Sequence, residues 1–216
     1  MTSELIALCI TACYIGFLHT LIGPDHYVPF IALAKDRGWA FRKTVFLTTL
    51  CGLGHVLGSI VLGMLGVAAG WALGFIEDTE SMRGDWAARL LIAFGLVYMV
   101  WGLRKAWRAK LSKDDAHGHD HSKATKSVWI LFIIFAFGPC EPLIPVLMYP
   151  AATQGVWEIV LVTSCFAVAT IGTMLTMVTI GTYSLKPIRT TVLSRYSHAL
   201  AGGAITACGL LMVLGL

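Results

Sequence analysis

Ionisable side chains and a thiol lie beside two Gly-Pro pairs in an otherwise apolar sequence. In "HTLIGPDH" the pair is followed by Asp25 and His26, and in "FGPCEP" it is followed by Cys140 and Glu141. A charged side chain at the bilayer centre costs at least ~2.5 to 3.5 kcal/mol, so such groups indicate function. Imidazole nitrogens with carboxylate oxygens suit a divalent transition metal ion better than Ca²⁺ or Mg²⁺. The candidate metal ligands are His19, Asp25, His26, His55, Cys140 and Glu141.

Each of these residues also has a purely structural interpretation. His55 can hydrogen-bond a carbonyl on a facing helix, and Asp25 with His26 can form an ion pair that fixes a broken helix. Glu141 can cap a helix N-terminus or act as a proton site. The imidazoles and carboxylates concentrate near the two Gly-Pro pairs, so the metal-ligand interpretation is favoured for the set as a whole.

A second group of histidines lies in "SKDDAHGHDHSKATKS", residues 112–127. His117, His119 and His121 alternate there with Gly118 and Asp120. Short His-rich tracts are compositional evidence for metal binding. This stretch is therefore either a secondary metal site in a cytoplasmic loop or a solvated linker that contains histidines.

The five remaining cysteines are expected to be small buried hydrophobic residues. Cys9 and Cys13 lie four residues apart and so share a helix face, but nothing else in the sequence marks them as a redox pair. The other members of this group are Cys51, Cys165 and Cys208.

The elements that position the candidate ligands are membrane-spanning helices. The chain has 216 residues, of which 57% are hydrophobic and 13% are charged. A spanning helix needs about 20 mostly apolar residues. Six stretches satisfy this requirement, namely Leu5 to Ala34, Thr44 to Leu73, Trp86 to Ala106, Val128 to Ala151, Val156 to Tyr183 and Ala199 to Leu216. The sequence predicts an all-α polytopic membrane protein with six transmembrane helices.

The basic residues predict the orientation. Of the 16 Lys and Arg residues, 14 fall in three alternate connections between the predicted spans. The other two, Arg83 and Arg89, share the opposite side with an acidic run before the third span, Glu77, Asp78, Glu80 and Asp85. Because basic residues stay on the cytoplasmic side, both termini are expected to be extracytoplasmic in a multi-pass protein of the inner (plasma) membrane. The net charge of +4 is explained by topology and contact with anionic lipid, so no nucleic-acid partner is expected.

The chain repeats itself at a spacing of about 115 residues. "GPDHYVPFIALA" aligns with "GPCEPLIPVLMYPA", and "TTLCGLGHVLG" aligns with "VTSCFAVATIG". An odd number of spans in each half makes the repeats inverted, with proline-broken helices 1 and 4. We expect a first three-helix repeat at 1–106, a His-rich cytoplasmic loop at 107–127 and a second three-helix repeat at 128–216.

The first two motifs resemble those of the nickel/cobalt transporter family. "HTLIGPDH" is similar to the first-span signature of that family, and "LGH" in the next predicted span is similar to its second. The resemblance implies a metal-selecting site made of His19, Asp25, His26 and His55. Five residues separate His19 from Asp25, a spacing that looks more like the urease-accessory type of nickel permease.

A more distant similarity is to the membrane thiol-electron carriers of cytochrome c biogenesis. Those carriers use proline-flanked cysteines in both halves, and here Cys140 alone matches, with Asp25 and His26 at the corresponding point of the first half. The expected function is transport of Ni²⁺ or Co²⁺ as cargo by alternating access, with no enzymatic activity and no resident cofactor. The alternatives are a transmembrane thiol/disulfide electron carrier and an exporter of a small sulfur-containing or organic anion. The oligomeric state is not predicted.

Overall fold

The computed structural model describes residues 2–69, 73–111, 129–136, 138, 140, 142–146, 155–185 and 195–215. These residues form helices and short connections, and no strand occurs among them. The α-helices are α1 (Ser3–Ile22), α2 (Val28–Arg37), α3 (Phe41–Ala68), α4 (Leu73–Leu111), α5 (Val156–Ser184) and α6 (Ser197–Val213). Residues 129–136 and 143–146 are also helical. The expectation of an all-helical chain is confirmed for these residues.

The predicted break in the first span is present. Helix α1 ends at Ile22, a short 3₁₀ helix covers Pro24–His26, and α2 begins at Val28. Pro24 has no backbone N–H to continue the helix. Gly23 N–H still donates to His19 O at 3.0 Å and closes α1, and the freed carbonyl of Leu21 accepts from the Tyr27 hydroxyl at 3.3 Å. The break therefore places Asp25 and His26 at a turn between two helices.

Helices α1, α3, α4 and α5 are long and apolar enough to cross a membrane, and α6 is a shorter apolar helix. The described chain is therefore a multi-pass membrane protein. The expected fourth span, Val128 to Ala151, is described only in part, as the helical residues 129–136 and 143–146 and their neighbours. The arrangement of six spans in inverted repeats therefore remains a prediction.

Helix α4 differs from the expected third span. The sequence predicts a span from Trp86 to Ala106 and an acidic connection before it, but the helix runs from Leu73 to Leu111, 39 residues. A helix of this length reaches about 58 Å at 1.5 Å per residue, well beyond the ~30 Å bilayer core. Window-based prediction marks only the apolar middle of such a helix, so its polar first turns were wrongly assigned to a connection.

The helices of the two halves of the chain pack against each other. Helix α4 packs mainly on α6, and α1 packs mainly on α5. Small residues allow this close approach, because a Cβ atom added at Gly95 of α4 would lie 2.8 Å from Gly202 O of α6. The two halves thus form one interlocked bundle in which ligands from both can meet.

A polar network joins α2, α4 and α6 near the end of α2. His198 Nδ1 lies 2.6 Å from a carboxylate oxygen of Asp36, and the Tyr98 hydroxyl donates to the same oxygen. Lys105 Nζ lies 3.0 Å from His198 Nε2, so the imidazole accepts from the lysine and donates to the carboxylate. Burial opposes ionisation of Asp36, but these hydrogen bonds outweigh it and hold its pKa below the usual range. The network fixes α2 directly after the broken segment.

Candidate metal site

Imidazole rings from α1, the 3₁₀ turn and α3 meet in the interior. The ring centroids of His19 and His26 are 4.7 Å apart, and those of His26 and His55 are 5.0 Å apart. One ligand atom each from His19, His55 and Cys140 all lie within 4.8 Å of one another. Cys140, far along the chain, therefore lies with two of the histidines.

Among the described residues, the Nε2 atoms of His19, His26 and His55 are buried and have no hydrogen-bond partner. Nδ1 of His55 lies 3.4 Å from Phe135 O, and Nδ1 of His26 lies 3.2 Å from Gly23 O. A carbonyl oxygen only accepts, so each of these Nδ1 atoms carries the hydrogen and the neutral ring keeps its lone pair on Nε2. An Nδ1–H bonded to a carbonyl is also the usual way that a metal-binding histidine is oriented. His26 and His55 thus each aim an unpartnered ligand atom inwards.

Asp25 adds negative charge to the cluster. Its carboxylate oxygen Oδ2 lies 3.2 Å from His26 Nδ1. A protonated His26 forms an ion pair there, whereas a neutral His26 donates its Nδ1–H to Asp25 and keeps Nε2 for a metal ion. Asp25 and His55 both line a cavity of about 20 Å³. A volume of at least ~10 to 15 Å³ is needed to hold one water. The space beside these two residues therefore suits a single small guest such as a water or an ion.

The backbone at Cys140 is bound by side chains of α3 and α4. Cys140 N–H lies 3.2 Å from Ser59 Oγ and 3.2 Å from an oxygen of Glu80. Ser59 donates to the same Glu80 oxygen at 3.1 Å, and Glu80 is fully buried. In a continuous α-helix this N–H would bond the carbonyl of Ala136, four residues earlier. Glu80 and Ser59 take the place of that carbonyl.

Arg83 binds the other half of the interrupted hydrogen bond. Its guanidinium group pairs with Glu80 and donates to Ala136 O at 3.3 Å. Gly58 makes room for this contact, because a Cβ there would lie 2.6 Å from Ala136 O and 3.0 Å from Arg83. One ion pair thus satisfies both backbone groups that the break leaves free.

Ser59, Glu80 and Arg83 were missed by the sequence analysis. Glu80 and Arg83 were placed in an acidic connection outside the third span, so their charges were explained by topology alone. Their spacing of three residues is that of an ion pair on one helix face, and this was the available signal. The structure places them against the second candidate ligand segment.

We predict that Glu80→Ala destabilises the protein and loosens the Cys140 segment. The change leaves Arg83 without its carboxylate and Cys140 N–H without one acceptor, and breaking a buried ion pair costs about 3 to 5 kcal/mol. Thermal unfolding should shift down, and alkylation of Cys140 by a membrane-permeant maleimide should accelerate. Glu77→Ala, at an exposed position of the same helix, is the matched control. Equal unfolding temperatures and equal alkylation rates of the two variants would contradict the role of Glu80 in holding the Cys140 segment.

Several predicted ligands cannot be placed. Glu141, and the loop histidines His117, His119 and His121, lie outside the described residues. The predictions for them therefore stay predictions, while His19, Asp25, His26, His55 and Cys140 are brought together.

The expectation for the other cysteines holds in part. Cys9, Cys51 and Cys208 are buried, as predicted for small hydrophobic residues. Cys13 is exposed and Cys165 is half-buried, so the prediction was wrong for Cys13 and incomplete for Cys165. All six cysteines are free.

These features define a class, the multi-pass helical membrane proteins with ionisable groups at a broken helix. A sequence model of the cytochrome c biogenesis protein transmembrane region matches residues 8–211, and the chain belongs to that family. No curated protein and no solved structure matches the chain. The family match supports the relationship to membrane thiol-electron carriers, and the resemblance to nickel/cobalt transporters finds no support in it.

Proposed function

We propose that this protein binds a divalent transition metal ion at its histidine cluster and carries the ion across the membrane. The observation that carries the proposal is the set of three buried, unpartnered Nε2 atoms on His19, His26 and His55. A buried polar atom without a hydrogen bond costs free energy. Coordination of a metal ion would recover that cost at His19 and His55, whose ligand atoms lie within 4.8 Å of each other and of Cys140.

The donor set decides the class of ion. Imidazole suits Ni²⁺, Co²⁺, Zn²⁺ and Cu²⁺, and a thiolate favours soft or borderline ions further, whereas Mg²⁺ and Ca²⁺ prefer oxygen ligands. Asp25 supplies negative charge that compensates the cation. Within the class we propose Ni²⁺ or Co²⁺ as cargo, on the resemblance of the His19 to His26 segment to metal-permease signatures.

The cluster also fits a carrier that works by alternating access. Its described members come from α1, the 3₁₀ turn and α3 in the first half of the chain and from Cys140 in the second. Transporters with inverted repeats place their site at such a junction of broken helices, where rocking of the two halves changes access. The two-repeat organisation with boundaries at 106 and 127 is part of this proposal. So is a reservoir role for His117, His119 and His121.

The orientation is proposed from the basic residues. A reporter fused after Leu216 should be extracytoplasmic, and one inserted near Gly118 should be cytoplasmic, because Lys and Arg remain on the cytoplasmic side. Alkaline phosphatase and green fluorescent protein fusions measure the two sides in a bacterial host. The reverse result at both sites would overturn the orientation and the inverted-repeat arrangement with it.

A second candidate function is transmembrane thiol/disulfide electron transfer, and family membership favours it. This function requires Cys140 to exchange with a second thiol. Among the described residues, His19, His55, Ser59 and Glu80 lie beside Cys140, Cys9 belongs to the same hydrophobic core cluster, and Cys165 packs against that cluster. All of these thiols are free, so an electron carrier would have to bring one of them to Cys140. Export of a small anion has no comparable observation in its favour, since Asp25 places negative charge in the cluster.

The test is transport by the purified protein in proteoliposomes. Ni²⁺ and Co²⁺ should enter vesicles that contain the protein faster than they enter protein-free vesicles, and Mg²⁺ should enter both at the same rate. The absence of Ni²⁺ and Co²⁺ flux, together with the formation of a disulfide that contains Cys140 and its reduction by an added dithiol, would replace the metal proposal with the electron-carrier function.

A further inference from the structure

The two carboxylate oxygens of Asp36, near the end of α2, have unequal surroundings. The side chain is 1% exposed. Oδ2 accepts from His198 Nδ1 at 2.6 Å and from the Tyr98 hydroxyl. Oδ1 is buried and has no hydrogen-bond partner among the described residues. A buried oxygen without a donor costs free energy, and a proton is the smallest group that removes this cost.

A row of polar groups connects Asp36 to the surface. Lys105 of α4 is exposed, and its Nζ lies 3.0 Å from Nε2 of His198 on α6. His198 lies between the lysine and the carboxylate, with its side chain 19% exposed. Arg37 Nε donates to the Tyr98 hydroxyl at 2.8 Å, so this hydroxyl keeps its own hydrogen for Asp36. The row from Lys105 through His198 therefore leads from the surface to a buried carboxylate.

Two further cations at this end of the bundle are bound elsewhere. Lys35 of α2 donates to Leu185 O at the end of α5. Lys43 of α3 lies 5.4 Å from the centre of the Trp39 ring. The cationic group that faces His198 is therefore Lys105 of α4.

We propose that Asp36 is a proton-binding site that is loaded from water through Lys105 and His198, and that proton uptake detaches the end of α2 from α4 and α6. An N–H bond of the Lys105 ammonium breaks as an N–H bond forms at His198 Nε2. The Nδ1–H bond of the same ring breaks as an O–H bond forms on Asp36. The imidazole stays neutral, as in other histidine proton relays, and water returns a proton to the lysine amine. One proton has then passed from water to the carboxylate.

Detachment follows from the loss of charge on Asp36. Hydrogen bonds to an ionised carboxylate are about twice as strong as those between neutral groups. Burial raises the pKa of Asp36, but the hydrogen bonds from His198 and Tyr98 outweigh it and hold this pKa below its usual range. A carboxyl that has lost those donors keeps only the effect of burial, which raises its pKa. The detached arrangement therefore binds more protons, so falling pH favours detachment and rising pH favours attachment.

The position of α2 connects this proton site to the histidine cluster. Helix α2 begins at Val28, directly after the turn that carries Asp25 and His26, and it has 10 residues. A helix of this length spans about 15 Å. Detachment of its far end therefore changes the support of the turn, and the pH on the side of Lys105 acts on the cluster. The proton site does not depend on the metal proposal, because it is independent of what the cluster binds.

Three substitutions separate proton binding from packing. Asp36→Asn has the shape of the protonated carboxyl, so the end of α2 should be detached at every pH. Tyr98→Phe removes one donor and should move the transition to higher pH by about 1 to 2 units, the equivalent of one hydrogen bond to a charged group. His198→Gln can bond the carboxylate but cannot relay a proton, so proton uptake after a pH jump should slow by at least ~100-fold. Asp85→Asn, at an exposed carboxylate of α4, is the matched control.

The experiment uses the full-length protein in proteoliposomes. Dicyclohexylcarbodiimide reacts with protonated carboxyls in apolar surroundings, and mass spectrometry locates the modified residue. Infrared difference spectra follow the C=O stretch of the protonated carboxyl after a pH jump. Hydrogen exchange of the peptide that covers α2, corrected for the intrinsic effect of pH, measures detachment. Modification of Asp36 and exchange of α2 should rise together as the pH falls, in the wild type and in Asp85→Asn alike.

Three results would count against the proton site. If Asp36 stayed unmodified at every pH, or if exchange of α2 did not follow its modification, the proposal would be overturned. Wild-type pH dependence of α2 exchange in Asp36→Asn would overturn it as well. An unchanged rate of proton uptake in His198→Gln would overturn the route through His198. Mapping of the wild-type chain decides the first point even where a variant folds poorly.

Discussion

Replacing His55 by alanine should reduce Ni²⁺ affinity by at least ~10 to 100-fold, the usual effect of losing a ligand or its orienting neighbour. His55 lies within α3, its Nδ1 is bonded to Phe135 O, and one of its ligand atoms lies within 4.8 Å of ligand atoms of His19 and Cys140. The truncation removes one ligand from a buried site and supplies no replacement. Transport of Ni²⁺ and Co²⁺ in proteoliposomes should therefore fall to background.

Two comparisons make this prediction specific. His26→Ala should behave like His55→Ala, because its Nε2 is also buried and unpartnered. His198→Gln should retain Ni²⁺ affinity, because His198 is bound by Asp36 and Lys105 at the other end of α2. Isothermal titration with Ni²⁺ measures the affinity, and Mg²⁺ is the negative control.

The loop histidines supply a contrasting variant. Changing His117, His119 and His121 together to alanine removes solvated ligands and should alter apparent affinity or regulation while transport continues. If this triple variant were inactive while His26→Ala and His55→Ala transported normally, the intramembrane histidines would be packing residues. The metal proposal for the cluster would then be wrong.

Much of the candidate site was predictable because it depends on short spacings. Asp25 and His26 follow a Gly-Pro pair, and proline fixes a break at that position whatever the tertiary structure. The internal repeat then related Cys140 to the same place in the other half of the chain. His55 belonged to the set because an ionisable side chain in an apolar span needs a partner. Local chemistry was sufficient for these residues.

The remaining parts depend on contacts between distant segments. Glu80 and Arg83 act on Ala136 and Cys140, more than fifty residues away, and only the full length of α4 brings them there. The contact of Cys13 Sγ with Cys165 O requires the packing of α5 on α1. Hydropathy does not encode which apolar helices become neighbours, because lipid and protein are equally apolar partners.

The position of Cys140 explains why geometry and family membership favour different functions. Family membership relates the chain to carriers that exchange electrons between thiols. In this chain, a carboxylate and an imidazole occupy the first broken helix, and Cys140 lies against His19 and His55. A thiol beside imidazoles can coordinate a metal ion together with them, whereas a thiol beside a second thiol can form a disulfide. Substitution of this one residue therefore separates the two functions.

Cys140→Ser should weaken metal transport without abolishing it. Serine keeps a polar atom at nearly the same place, and His19, Asp25, His26 and His55 remain as donors. Loss of the soft sulfur ligand should lower affinity for Ni²⁺ and Co²⁺, within the ~10 to 100-fold range for altered ligation. The measurement is the concentration dependence of Ni²⁺ uptake in proteoliposomes. The Ni²⁺ concentration for half-maximal uptake should rise, and the maximal rate should be retained.

The electron-carrier function predicts a different outcome for the same variant. A serine cannot form a disulfide, so Cys140→Ser would abolish electron transfer completely, at every concentration of reductant. Cys51→Ser, a substitution of another buried thiol, is the matched control because Cys51 packs among apolar residues such as Phe30 and Leu33. Trapping Cys140 in a disulfide with any other cysteine of the wild-type chain, with no Ni²⁺ flux, would establish electron transfer in place of metal transport.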